Sequence, residues 1–155
     1  MSLSDRRIEG LRLRQRDGVT CGPSVAIVGA ALLDSGYAET LSDPAWFADE
    51  QGRLHRGLNR LWPRALGTTP WAVRRALSRH SAVRYRWRPA RCRGDGLLDV
   101  REAVLLGYPV PMLVGSWLPR HWVLLVEVAG TSGFRCYGPS SGEIRTVGTA
   151  DVRAA

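Results

Sequence analysis

The segment Ser24 to Leu33 has no polar face. Val25, Ile27, Val28, Leu32 and Leu33 are separated by alanine and glycine. A helix that is apolar all round must be enclosed by the rest of its domain. Cys21-Gly22-Pro23 precedes the run. Thr20 is a good N-cap residue, and proline is tolerated only in a helix's first turn. The pattern therefore predicts a helix over about 21–34, with Cys21 at its N-terminus and the domain wrapped around it.

The chain has 155 residues, 45% of them hydrophobic. That is one domain by length, spanning 1–155, with enough apolar material for a core. No apolar run reaches the roughly 18 residues of a membrane span. The start, MSLSDRRIEG, carries no hydrophobic signal region, so the expected location is the cytoplasm.

Before the central helix, residues 1–19 are polar and end in the turn-like Asp17-Gly18. After it, residues 37–66 read as short helices and loops. Ser42-Asp43-Pro44 starts one helix, with Trp46 and Phe47 on its apolar side. Thr68-Thr69-Pro70 starts another, with a cap and an N1 proline, that runs to about His80. Val83 to Arg88 alternates arginine with Tyr85 and Trp87, a half-buried strand pattern. Asp95 to Leu106 is a helix stopped by Gly107, with Pro109 beyond. Four β-rich runs follow, at about 110–116, 120–128, 133–137 and 143–147. Helices first and a strand meander last predict an α+β domain with an antiparallel sheet.

All 22 basic residues are arginine. Without lysine there is no phosphate-loop, Schiff-base or pyridoxal-phosphate lysine. Cys21, Cys92 and Cys136 are odd in number and far apart, so a disulfide framework is not expected. They form no close-spaced set with His55, His80 and His121, and neither a metal nor an organic cofactor is expected.

Cys21 is the candidate nucleophile, because a helix N-terminus favours a thiolate. Gly22 beside it has no side chain to shield the sulfur. Gln15, six residues earlier, could fold back so that its amide and the Cys21 N–H form an oxyanion hole. His121 opens the most hydrophobic strand run, and alternation puts it on one face with Val123 and Leu125. A histidine at a strand end is placed to act as the base. Cys136 reads as core, Cys92 as a loop thiol, and His55 and His80 as surface residues.

The ordered set Gln15, Cys21-Gly22-Pro23, His121-Trp122-Val123 and Tyr137-Gly138-Pro139-Ser140-Ser141-Gly142 resembles the bacteriocin-leader-processing peptidases. Those are papain-like cysteine peptidases that cut after a double-glycine leader. The resemblance runs from about residue 10 to 147. It implies a papain-like fold, with a helical half led by the cysteine helix packed on the sheet. It implies Cys21 as nucleophile, His121 as general base, Gln15 at the oxyanion hole, and a peptide or protein substrate. Gly22 and Trp122 would wall the cleft. The family carries an aspartate before a proline as third member, and here that step is Gly138-Pro139. A hydroxyl of Tyr137, Ser140 or Ser141, or a backbone carbonyl, would have to replace it. An amidase or acyltransferase on the same fold, and a pseudoenzyme that binds without cutting, are the alternatives.

Residues 53–93 hold 12 arginines and no acidic residue. Trp62, Trp71, Tyr85 and Trp87 interleave with them. Such a stretch could bind nucleic-acid backbone or an acidic protein surface, or could be a solvated face whose arginine stems cover apolar surface.

Overall fold

The computed structural model describes residues 8, 10–58, 63, 67–90, 94–115 and 121–154. Helix α1 spans Cys21–Leu33, and Cys21 through Leu32 are all buried. The absence of a polar face in the sequence thus becomes enclosure on every side. Thr20 starts the helix without a side-chain cap. Its hydroxyl instead donates to the Asp17 carbonyl and accepts from the Asp17 N–H.

A short helix α2 (Ser35–Ala38) follows, with Asp34 accepting from the Gly36 and Tyr37 N–H groups. A 3₁₀ turn over Glu39–Ser42 leads into α3 (Pro44–Leu58). Helix α4 (Pro70–Ser78) begins as the sequence predicts: Thr69 caps the Ala72 N–H and proline fills the first turn. Helix α5 covers Leu98–Leu105 and so begins three residues later than Asp95. Asp95 instead accepts from the Leu97 N–H and from Arg88, which keeps it in the loop. The chain leaves α5 through Gly107 at φ +87°, where a side chain would be strained.

The sheet is β1 (Val110–Val114), β2 (His121–Ala129), β3 (Gly133–Gly138) and β4 (Glu143–Gly148). The four strands pair antiparallel in chain order, with a bulge in β2 between Leu125 and Glu127. Helix α6 (Thr149–Ala154) closes the described chain. Fold class is therefore α+β, with six helices and an antiparallel four-stranded sheet among the described residues. No helix among them is long and apolar enough to cross a membrane.

Residues 83–88 do not form a strand. The segment has alternation but no partner strand among the described residues, and two anchors hold it instead. The Tyr85 N–H donates to Ser78 Oγ, and the Tyr85 hydroxyl donates to the Pro109 carbonyl. Tyr85 is thereby drawn toward the core while Arg84 and Arg86 stay exposed.

Two apolar clusters lie on opposite faces of the sheet. Trp122, Leu124 and Tyr137 pack with α1, Val73 and Leu77. Leu125, Phe134 and Cys136 pack with Val104 of α5 and Val152 of α6, and Val123 joins them. Alternation along β2 decides which residue goes where.

Candidate functional site

Cys21 is 3% exposed and lies in the cluster between α1 and the sheet. Burial pushes its thiol pKa up. Three backbone N–H groups oppose that, those of Trp122, Gly22 and Cys21 itself, because each favours a thiolate. The Asp17 carboxylate adds a smaller upward push. The N-terminus of α1 thus abuts the start of β2, and a sulfur at that junction meets converging amide dipoles.

Gly22 is what allows the junction to close. A Cβ there would stand 2.6 Å from Thr68 Cβ and 3.2 Å from Trp122 Cδ1. Its bareness serves packing under Thr68 rather than an open approach to the sulfur. Trp122 is 4% exposed and donates from Nε1 to the Thr68 carbonyl at 2.9 Å. It clamps the α4 entrance onto β2. Gly22 and Trp122 are thus buried packing residues beside Cys21.

His121 is partly buried, and burial pushes its imidazole pKa down. Among the described residues its side chain makes no hydrogen bond or ion pair. By alternation it shares a face with Val123 and Leu125, whereas Trp122 and Leu124 face α1. What β2 brings to Cys21 is the peptide N–H next to the imidazole.

The loop that carries Gln15 does reach this corner. The Gln15 N–H donates to the Pro139 carbonyl at 2.8 Å, which ties residues 13–15 to the turn after β3. Its side-chain amide, however, is turned to the loop's own backbone: Nε2 donates to the Asp17 carbonyl at 2.6 Å, and Oε1 accepts from the Ser140 hydroxyl at 3.5 Å. One of its two N–H donors is therefore engaged with the loop.

The region read as a third member docks onto the same loop. The Tyr137 hydroxyl donates to the Leu13 carbonyl, is fully buried, and has its pKa pushed up by burial. Ser141 Oγ donates to the Gly138 carbonyl and accepts from the Glu143 N–H. Arg14 Nε donates to the Ser140 carbonyl. The Tyr137 and Arg14 bonds hold the end of β3 and its turn against residues 13–15, the Ser141 bonds close the turn on itself, and none of these groups is hydrogen-bonded to His121 among the described residues. Gly138 leaves its position without a carboxylate.

Three residues escaped the sequence reading. Asp17 lay in an ordinary turn signal, yet its charge reaches Cys21. Thr68 was read only as part of a helix start. It is 5% exposed, roofs Gly22, and its hydroxyl has no described partner. His55 is a correction: it is 6% exposed rather than a surface residue, and its Nε2 has no described partner. Its place on the inner side of α3, with Gln51 and Phe47 at helical spacing, was the available signal. His80 is half-exposed and paired with Asp34 at 3.2 Å. Cys136 is core, as expected, its thiol pushed up to about 11 by burial. Cys92 and Trp62 lie outside the described residues.

No group of His, Cys, Asp and Glu able to hold a metal occurs among the described residues. A pocket of about 320 Å³ lies between residues 10–13 and the β3–β4 hairpin, and one of about 210 Å³ lies beside α5; neither is lined by Cys21 or His121. Comparison with family models, curated proteins and solved structures finds no match for the chain.

Proposed function

We propose that the chain is a papain-like cysteine hydrolase acting on an amide or peptide bond, with Cys21 as nucleophile and His121 as base. The observation that supports it most is the convergence of three backbone N–H groups on a buried sulfur at the start of α1. In this reading Cys21 Sγ attacks the carbonyl carbon and its proton passes to His121, the first residue of β2, once the imidazole turns from the Val123 side of the strand toward the sulfur. The carbonyl oxygen takes the negative charge and is held by the Cys21 N–H. Gln15 contributes a second N–H once it leaves the Asp17 carbonyl. The C–N bond breaks, the amine departs with the proton from His121, and water hydrolyses the thioester. The substrate is a peptide or protein and the setting cytoplasmic.

The resting pair is neutral in this reading. Burial raises the thiol and lowers the imidazole, so the proton stays on sulfur until substrate enters. The same neutrality, with Gly138 in place of a carboxylate, favours a second reading: a silent relative that holds a peptide without cutting it.

Alkylation by iodoacetamide against pH, read cysteine by cysteine in the intact protein, separates the two. The hydrolase reading expects Cys21 to react faster than Cys136 below pH 9, and more slowly in His121→Ala than in the unaltered protein. An unchanged Cys21 rate in His121→Ala removes the base and leaves the binding reading.

A further inference from the structure

Helix α4 hides Ala72, Val73, Ala76 and Leu77 and turns Trp71, Arg74 and Arg75 outward. Trp71 is 58% exposed and Trp87 is 46% exposed. They stack on each other with ring centroids 5.2 Å apart and planes tilted by 37°. Arg74 and Arg75 stand three and four residues beyond Trp71, on its side of the helix. Arg84 and Arg86, both exposed, flank the anchored Tyr85 on the segment that delivers Trp87. None of these four arginines makes an ion pair with a described residue. Arg88 and Arg53, by contrast, are taken up by Asp95 with Asp99 and by Glu50.

Two large aromatic faces in water are an unfavourable use of surface unless a ligand covers them. Their neighbours narrow the class of ligand. The faces accept a planar ring, and uncompensated guanidinium groups, Arg74 and Arg75 on the Trp71 side of α4 and Arg84 and Arg86 exposed on the segment that carries Trp87, call for a row of anions. A single-stranded polynucleotide supplies both at once, with bases for the indoles and phosphates for the arginines. An acidic peptide supplies only the charge, and a duplex keeps its base faces stacked inside.

We propose that the Trp71–Trp87 pair, with Arg74, Arg75, Arg84 and Arg86, is a binding surface for single-stranded nucleic acid. The surface is independent of the Cys21 site, so Cys21→Ala leaves binding unchanged. Each stacked base contributes through an indole, and each phosphate contact adds salt dependence.

The test is fluorescence anisotropy of the full chain with labelled deoxythymidine and uridine dodecamers, from 50 to 200 mM salt. Either sugar satisfies the proposal. Trp71→Ala and Trp87→Ala are each expected to weaken binding about tenfold, with Trp71→Phe restoring part of the loss. Both rings are exposed, so circular dichroism should show the variants folded. Arg74→Ala with Arg75→Ala should flatten the slope of log affinity against log salt by about 1.4, roughly 0.7 per phosphate. Three results overturn the proposal: no binding of either strand at 50 mM salt; affinity unchanged in the Trp71→Ala, Trp87→Ala double variant; or a glutamate dodecapeptide or a duplex of equal length binding as tightly.

Discussion

The two faces of the sheet are held by different physics, and a thiol on each makes the contrast measurable. The face toward α1 is pinned by directional bonds: Trp122 to the Thr68 carbonyl, Tyr137 to the Leu13 carbonyl, and Ser24 to the Thr20 carbonyl within the helix it meets. The face toward α5 and α6 is hydrocarbon, with Leu125, Phe134, Val104 and Val152 as its buried members beside Cys136. Cys136 has only the Leu124 N–H to favour its thiolate, whereas Cys21 has three such groups. Equal enclosure therefore does not make equal sulfurs. Directional bonds fix positions closely enough to aim amides at one atom, and hydrocarbon packing excludes water without aiming anything.

The largest effect expected from breaking this contrast lies on the hydrocarbon face. Phe134 is 1% exposed, and Phe134→Ala should cost about 3–5 kcal/mol, since removed contacts and the remaining cavity add. Urea denaturation measures that loss. The pH midpoint of Cys21 alkylation should not move with it. A shifted midpoint would mean that the two faces are mechanically one unit.

A smaller but more pointed effect belongs to the pinned face. Gly22→Ala places a methyl 2.6 Å from Thr68 Cβ and 3.2 Å from Trp122 Cδ1. Overpacking of this kind costs about 1–3 kcal/mol. Because the junction of α1 and β2 must open to admit the methyl, the Trp122 N–H should withdraw from Cys21. The midpoint of Cys21 alkylation is then expected to rise, while that of Cys136 stays put. Wild-type stability together with an unmoved Cys21 midpoint would show that the junction is not close-packed and that the three amides are incidental.

How much of this was legible beforehand follows the same division. The apolar run after Cys21 gave α1 to within a residue, because enclosure is written in composition. The Thr69-Pro70 start and the strand meander were legible for a similar local reason: cap chemistry and period two need no distant partner. Residues 83–88 failed because alternation specifies a face and not a neighbour, and among the described residues no strand pairs with them. The site was legible as a set of residues and not as a geometry. Gln15 was expected beside Cys21, and its loop does reach that corner, but the direction of its amide depends on Asp17 and Ser140. His121 was placed on its strand correctly, and the same alternation puts Trp122, not the imidazole, toward α1. His55 was misjudged because arginines flank it on a helix whose inner side also carries Gln51.

The smallest expected effect tests how far the directional bonding extends beyond the sheet. Glu50 on α3 accepts from Arg53 and, at 2.9 Å, from the Tyr37 hydroxyl. The Arg53 guanidinium holds its carboxyl below the usual range; burial pushes the other way, and the Tyr37 bond reinforces Arg53. A carboxylate with a lower pKa folded than unfolded adds stability that is complete above the unfolded value of about 4.3. That stability is lost as pH falls through the folded value, because the unfolded chain takes up the proton first. Glu50→Gln should therefore lower stability at pH 7 slightly and flatten its decline below about pH 4. Arg53 is largely exposed, so solvent screening keeps the effect small. Stability measured by urea from pH 3 to 7 in both proteins checks this. Parallel acid limbs would show that the Tyr37–Glu50–Arg53 bonds form only once α3 is already held by its apolar face, and that the directional bonding stops at α1.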